Sequence, residues 1–284
     1  MKHTLLIFAL MLLTSCTSLF FHPTKDVYYD VDATKIDRQE LTLTTADNLK
    51  LNGWYFPQKD PKALVLFFHG NAQNITSHFV TLFWFTQADY DYALFDYRGY
   101  GKSEGTVKND KLLLDIKAMM DWGIQQSTQR KIPLVIYGQS MGANLALKYL
   151  SLHPEIKPSL LIVEAPFYKF TEIAKIKASE VWLFWPLQPF VSLLISDKNS
   201  LNEKDLATMP NYPKIFIHSE NDPVVPFSQG QKTFEYISDP KELWTYKAPH
   251  HVNGTHTEEG KYRYLLLDRL EAIHRKPNKS QGNK

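Results

Sequence analysis

Six short apolar runs recur along the chain: Ala63 to Phe68, Tyr92 to Tyr97, Pro133 to Tyr137, Leu160 to Glu164, Lys214 to His218 and Glu242 to Tyr246. A strand with one wet face alternates apolar and polar residues, so runs this continuous imply strands buried on both faces. Helical patterns fill the intervals, near Ile75 to Ala88, Lys111 to Gln126, Asn144 to Leu152, Ser228 to Ile237 and Glu258 to Ile273. Ahead of them, Gln39 to Thr45 and Asn48 to Phe56 read as two antiparallel strands around Asp47-Asn48, residues that tolerate a tight turn. The expectation is an α/β fold with a mostly parallel central sheet covered by helices on both faces. In such a sheet, sites gather at the carboxyl ends of the strands.

The two ends of the 284-residue chain read differently from this body. Lys2 precedes nine apolar residues, Leu5 to Leu13, too few to span a bilayer and suited to an export signal. The run closes on Leu13-Thr14-Ser15-Cys16, which resembles the bacterial lipoprotein box, and Cys16 is the only cysteine. A signal peptide over residues 1–15 is therefore expected, with acylation of Cys16 and a mature chain of residues 16–284 held to the cell envelope by its lipid. Thr17, standing where a retention aspartate would, favours the periplasmic side of the outer membrane. At the other end, Arg275, Lys276, Lys279 and Lys284 form a basic tail over residues 275–284; without it, 28 basic residues face 30 acidic ones. The formal charge of +2 thus marks no nucleic-acid surface. One cysteine also excludes a disulfide framework.

The run Pro133 to Tyr137 leads straight into Gly138-Gln139-Ser140-Met141-Gly142 and then a helical pattern. Glycines flank the serine because a strand-to-helix reversal this sharp leaves no room for side chains, and the serine is lifted above the sheet. Nucleophilic catalysis by Ser140 needs oxyanion donors, a base and an acid. The turn His69-Gly70-Asn71 can aim the Asn71 N–H at a developing oxyanion, with the Met141 N–H as second donor. His69 precedes the serine and belongs to the loop that shapes this hole, so it reads as part of the frame. For the acid, Asp222 lies just beyond the run ending at His218, with Glu164 as substitute. For the base, the last strand is followed by His250, His251 and His256. His251 is favoured by its distance from the strand end, His256 is the alternative base, and His250 reads as a neighbour. A metal site built from the three lacks a carboxylate or cysteine at ligand spacing, and no cofactor is required.

Phe68-His69-Gly70-Asn71-Ala72, the segment Asp96 to Gly105 (Asp-Tyr-Arg-Gly-Tyr-Gly-Lys-Ser-Glu-Gly), the serine elbow and Asp222-Pro223-Val224-Val225-Pro226 together resemble the α/β-hydrolases. The likeness is to the ABHD-type and serine-aminopeptidase or monoacylglycerol-lipase-like branches, from Phe21-His22-Pro23 to near Ile273. It implies Ser140 as nucleophile, Asp222 as acid, His251 as base, and Asn71 and Met141 as backbone donors. It makes Asp96 to Gly105 a structural signature beside the site. The domain plan is a signal at 1–15, a leader at 16–38, a hydrolase domain at 39–274 and the tail. Phe167 to Met209 forms a cap insertion between the sixth and seventh strands, and its apolar middle, Val181 to Ile195, suits a lid, a core helix or a membrane-touching face. The expected activity is hydrolysis of a small, neutral, lipid-like carboxylic ester through an acyl-enzyme. The other readings are a peptidase or amidase with the same residues and a non-catalytic envelope lipoprotein on this scaffold. Oligomeric state is not encoded in any motif.

Overall fold

The computed structural model describes residues 21–34, 36–180 and 197–275. Cys16, the signal segment, Val181 to Ile195 and the tail beyond Arg275 lie outside them. Eight strands form one sheet in the order β1-β2-β4-β3-β5-β6-β7-β8. They are β1 (Gln39–Thr44), β2 (Lys50–Phe56), β3 (Leu64–Phe68), β4 (Asp91–Phe95), β5 (Leu134–Gln139), β6 (Leu160–Glu164), β7 (Lys214–Ser219) and β8 (Lys241–Tyr246). β1 and β2 pair antiparallel, with Thr44 opposite Lys50 and Asn48 at φ 62° in the turn. β2 then pairs antiparallel with β4. Every later pairing is parallel.

The helices are α1 (Ile75–Leu82), α2 (Leu112–Arg130), α3 (Met141–Leu152), α4 (Phe170–Glu180), α5 (Glu203–Ala207), α6 (Phe227–Tyr236) and α7 (Lys261–Arg275). Alternate residues of the central strands feed two separate cores. Leu64, Leu66, Ile136 and Val163 pack with Ile116 and Met119 of α2 and with Leu145 of α3. Val65, Phe67, Tyr137 and Ile162 pack on the other side with Phe79 of α1 and with Leu266 and Leu270 of α7. Burial on both faces is why these strands read as unbroken apolar runs.

Several helices depart from the sequence pattern: the one expected over Lys111 to Gln126 runs on to Arg130, the one expected from Asn144 starts at Met141, and two others differ more. Ile75 to Ala88 is not one helix: α1 ends at Leu82, and a tighter 3-10 stretch, Phe83–Ala88, buries Trp84 and Phe85 before Asp89 turns left-handed at φ 64°. The last helix starts at Lys261 rather than Glu258, because Glu258 and Glu259 sit at φ 47° and 55°. It runs through Arg275, so the first residue assigned to the tail belongs to it.

The strand order positions the site. The chain leaves β3, returns one place outward as β4, then crosses over β3 through α2 to reach β5 on its other side. The connections therefore diverge at the carboxyl end of β3, and a crevice opens at such a switch point. Arg98, in the loop after β4, braces this corner. Its guanidinium meets Asp115 of α2 at 2.7 Å and Asp47 of the β1–β2 turn at 2.9 Å.

Candidate active site

Ser140 stands between β5 and α3 with φ 51° and ψ −116°, a strained backbone for a residue bearing a Cβ. Close packing holds it there. A Cβ on Gly142 would lie 2.1 Å from the Phe68 carbonyl oxygen, and one on Gly138 2.6 Å from the Ala143 Cα. The elbow thus fits only glycine on both sides, as the motif implies. The Ser140 N–H donates to the Glu164 carbonyl at 2.8 Å, and Asn144 grips both polar backbone atoms of Phe167. Met141 opens α3, so its N–H is among those a helix start leaves without an intrahelical acceptor.

The loop after β3 passes beside the serine: a Cβ on Gly70 would be 3.6 Å from the Ser140 Cβ. The Asn71 side-chain oxygen accepts from the Tyr100 hydroxyl at 2.6 Å, the Ala72 N–H at 2.9 Å and the His22 N–H at 3.1 Å. His69 is fully buried, 2.7 Å from the Gly70 carbonyl oxygen, stacked on His78 and packed at a tilt against Tyr97. Burial and the neighbouring His78 hold its pKa well below the usual imidazole range, which keeps it neutral in the frame.

Of the three late histidines, His251 meets the candidate acid, its Nδ1 lying 2.7 Å from Asp222 Oδ2. The other carboxylate oxygen, Oδ1, accepts from the Val224 and Val225 N–H groups at 2.7 and 2.9 Å. Asp222 is therefore both a turn anchor and the partner of the imidazole. Burial alone would raise its pKa, but the bond from His251 and the two N–H groups hold it below the ordinary carboxylate value. Asp222 accepts a hydrogen bond from the Nδ1–H of His251, which leaves Nε2 as a proton acceptor. His256 points elsewhere, with Nδ1 3.1 Å from the Thr255 hydroxyl, while His250 is exposed.

Three contributors play parts that no local sequence signal gave them. Glu164, fully buried, is bonded not to His251 but to the segments around it. One of its oxygens accepts from Tyr137 and Gln139 at 2.9 and 2.7 Å, the other from the Gly254 N–H at 2.6 Å. It clasps the elbow to the histidine loop, aided by Gln139 Nε2 at 3.4 Å from the Val252 carbonyl oxygen. His218 is the second: its Nε2 lies 3.6 Å from Asp222 Oδ2 and 3.0 Å from the Val225 carbonyl oxygen. The third is the leader, strapped across the Asn71 loop. Pro23 bridges Gln73, and Asn74 Nδ2 donates to the Thr24 and Asp26 carbonyls at 3.1 and 2.8 Å. At the insertion, Asp197 accepts from the Thr171 and Ser200 hydroxyls, both at 2.6 Å, drawing its two described limbs together.

Residues 59–211 match the family described as serine aminopeptidase, S33. The protein belongs to this family of α/β-hydrolases. Its relatives include an uncharacterized protein, YfhR, of Salmonella typhimurium, 25% identical over 265 residues, with 88% of this chain and 85% of that protein covered. The lysophosphatidylserine lipase ABHD12 of Macaca fascicularis is 31% identical over 222 residues, which span 73% of this chain and 54% of that protein. Among solved structures, the Pyrococcus furiosus esterase Pf2001 superposes with a TM-score of 0.71 at 22% identity, covering 89% of this chain and 99% of that one. A soluble variant of the Saccharomyces cerevisiae monoglyceride lipase gives 0.63 at 18% identity, with 89% and 100% covered. Both structures share the α/β-hydrolase fold with this hydrolase-family chain.

Proposed function

We propose that the protein is a serine hydrolase that cleaves carboxylic esters of a lipid-like kind, anchored to a bacterial envelope membrane through acylated Cys16. The 2.7 Å contact between His251 Nδ1 and Asp222 Oδ2, in a loop clasped to the strained Ser140 elbow, carries this reading. The esterase and lipase names of its relatives support an acyl ester as substrate.

In this mechanism Ser140 Oγ attacks the ester carbonyl while its proton passes to His251 Nε2. Asp222 holds the imidazole in the needed tautomer and stabilises its charged form. The Asn71 and Met141 N–H groups receive the oxyanion, each such donor being worth about 3 kcal/mol in the transition state. Collapse expels the alcohol, which takes the proton from His251, and leaves an acyl-enzyme on Ser140. Water then gives a proton to His251, attacks the acyl carbon and releases the acid as Ser140 recovers its proton.

Labelling with a fluorophosphonate tests the nucleophile: wild type should react and Ser140→Ala should not. Failure of folded wild type to label overturns the reading. Ester turnover should be lost in His251→Ala and kept in His256→Ala; the reverse pattern reassigns the base. The family's description makes an amide the second reading, so an aminoacyl nitroanilide turned over faster than nitrophenyl esters would favour a peptidase. For the anchor, Cys16→Ser should move the protein from the membrane to the soluble fraction, and mass spectrometry of the wild-type amino terminus should find acyl groups.

A further inference from the structure

On the face covered by α1 and α7 lies a cavity of about 330 Å³, walled chiefly by Tyr29, Phe79, Phe83, Trp84, His256 and Arg263. Ser140, Asp222 and His251 do not line it. Its volume falls at the lower end of the range for small-molecule sites, roughly 300–1,000 Å³. Four aromatic rings supply an apolar wall, and Arg263 and His256 stand beside them. Trp84 is only 6% exposed, yet its Nε1 has no acceptor, and the Arg263 Nε is likewise buried and unpartnered. The Arg263 guanidinium carbon sits 5.3 Å from the Trp84 ring centroid. Arg263 forms no ion pair with a carboxylate among the described residues. Both nitrogens are shut away from the cavity, so what its wall offers an incoming group is the outer edge of the Arg263 guanidinium.

The charge pattern narrows what that is. Arg263 supplies a fixed cation with a fork that suits a carboxylate. His256 adds no second charge at neutral pH, because partial desolvation and the nearby Arg263 pull its pKa below the usual imidazole value. One cation beside a ring of aromatic and aliphatic side chains matches a monoanion with an apolar body better than a dianionic phosphate.

We propose that this cavity binds a monocarboxylate bearing a short apolar chain, with the carboxylate on the Arg263 fork and the chain among the rings. The site is separate from the Ser140 crevice and independent of the activity assigned there.

The experiment uses octanoate carrying a diazirine, irradiated with the purified protein and mapped by mass spectrometry. Adducts are expected on the segments Phe79 to Trp84 and His256 to Arg263. Octanoate should compete for them, and 1-octanol should compete roughly tenfold less well, the loss of one charge-assisted contact. Arg263→Met should reduce labelling by a similar factor. Val80→Trp keeps Arg263 and fills the cavity from a residue that is 40% exposed in its wall, and it should abolish labelling with the unfolding midpoint kept. Absence of adducts, adducts confined to the peptides around Ser140, equal competition by octanol, or undiminished labelling of Val80→Trp overturns the proposal.

Discussion

Asp222 shows how one side chain serves two demands when its oxygens are separated. Oδ1 is committed to the Val224 and Val225 N–H groups, which fixes the carboxylate plane, so Oδ2 arrives at His251 without side-chain freedom to lose. Asp222→Asn keeps the shape but can present an N–H to Nδ1 and so favour the wrong imidazole tautomer. Turnover should fall by about 10⁴-fold in ester assays while the folded state remains, as expected when the carboxylate of a Ser-His-Asp system is made an amide. A smaller loss would mean that His251 is oriented by something else. The pH dependence has a definite sign. The Asp222 carboxyl is held below its ordinary value, so its contribution is present above the unfolded value of 3.8 and is lost as pH falls through the lower folded one.

At the scale of elements, the site depends on keeping the β5 elbow and the loop after β8 in register, and Glu164 at the end of β6 performs that task from between them. Both of its oxygens are acceptors, one facing two donors and the other the Gly254 N–H. Glu164→Gln must turn an amide N–H toward one of these donors. We expect kcat to fall by about ten- to a hundredfold with KM little changed, the signature of a displaced base rather than a lost substrate contact. Rescue by Glu164→Asp would be poor because the clasp spans two sides. Local patterns carried much of this architecture: the six short runs became β3 to β8, the five inner ones because double-sided burial writes itself into consecutive residues, whereas β8 at the sheet edge is only partly buried. Ser140 was legible for a similar reason, since the glycines around it answer a steric need two residues wide. Glu164 was legible only as a possible acid. Its partners Tyr137, Gln139 and Gly254 lie 25 to 90 residues away, and no sequence spacing records a hydrogen bond across neighbouring strands. The Phe83–Ala88 stretch was read as helix because a 3-10 turn and an α-helix share their apolar spacing over so few residues.

For the whole molecule, the buried Asp96 beside the Asn71 loop gives stability a second dependence on pH. Burial raises its pKa to about 7, against 3.8 in the unfolded chain. The native state therefore holds a proton that the unfolded state has released, and stability declines as pH rises between these values and is level above them. Asp96→Asn keeps the acceptor for the Ile75 N–H, now 2.9 Å from Oδ1, and removes the titration. Urea unfolding at pH 5 and pH 8 should show the variant gaining on wild type by on the order of 2 kcal/mol at the higher pH. An identical pH response in the two proteins would show that Asp96 is ionised in the fold. The leader strap also acts at this scale. His22, whose N–H holds Asn71, follows Cys16 by only six residues. Fully extended, that tether reaches about 20 Å. An acyl group on Cys16 would thus keep the mouth of the crevice within a lipid's length of the bilayer surface, where an ester can pass from membrane to serine without crossing bulk water.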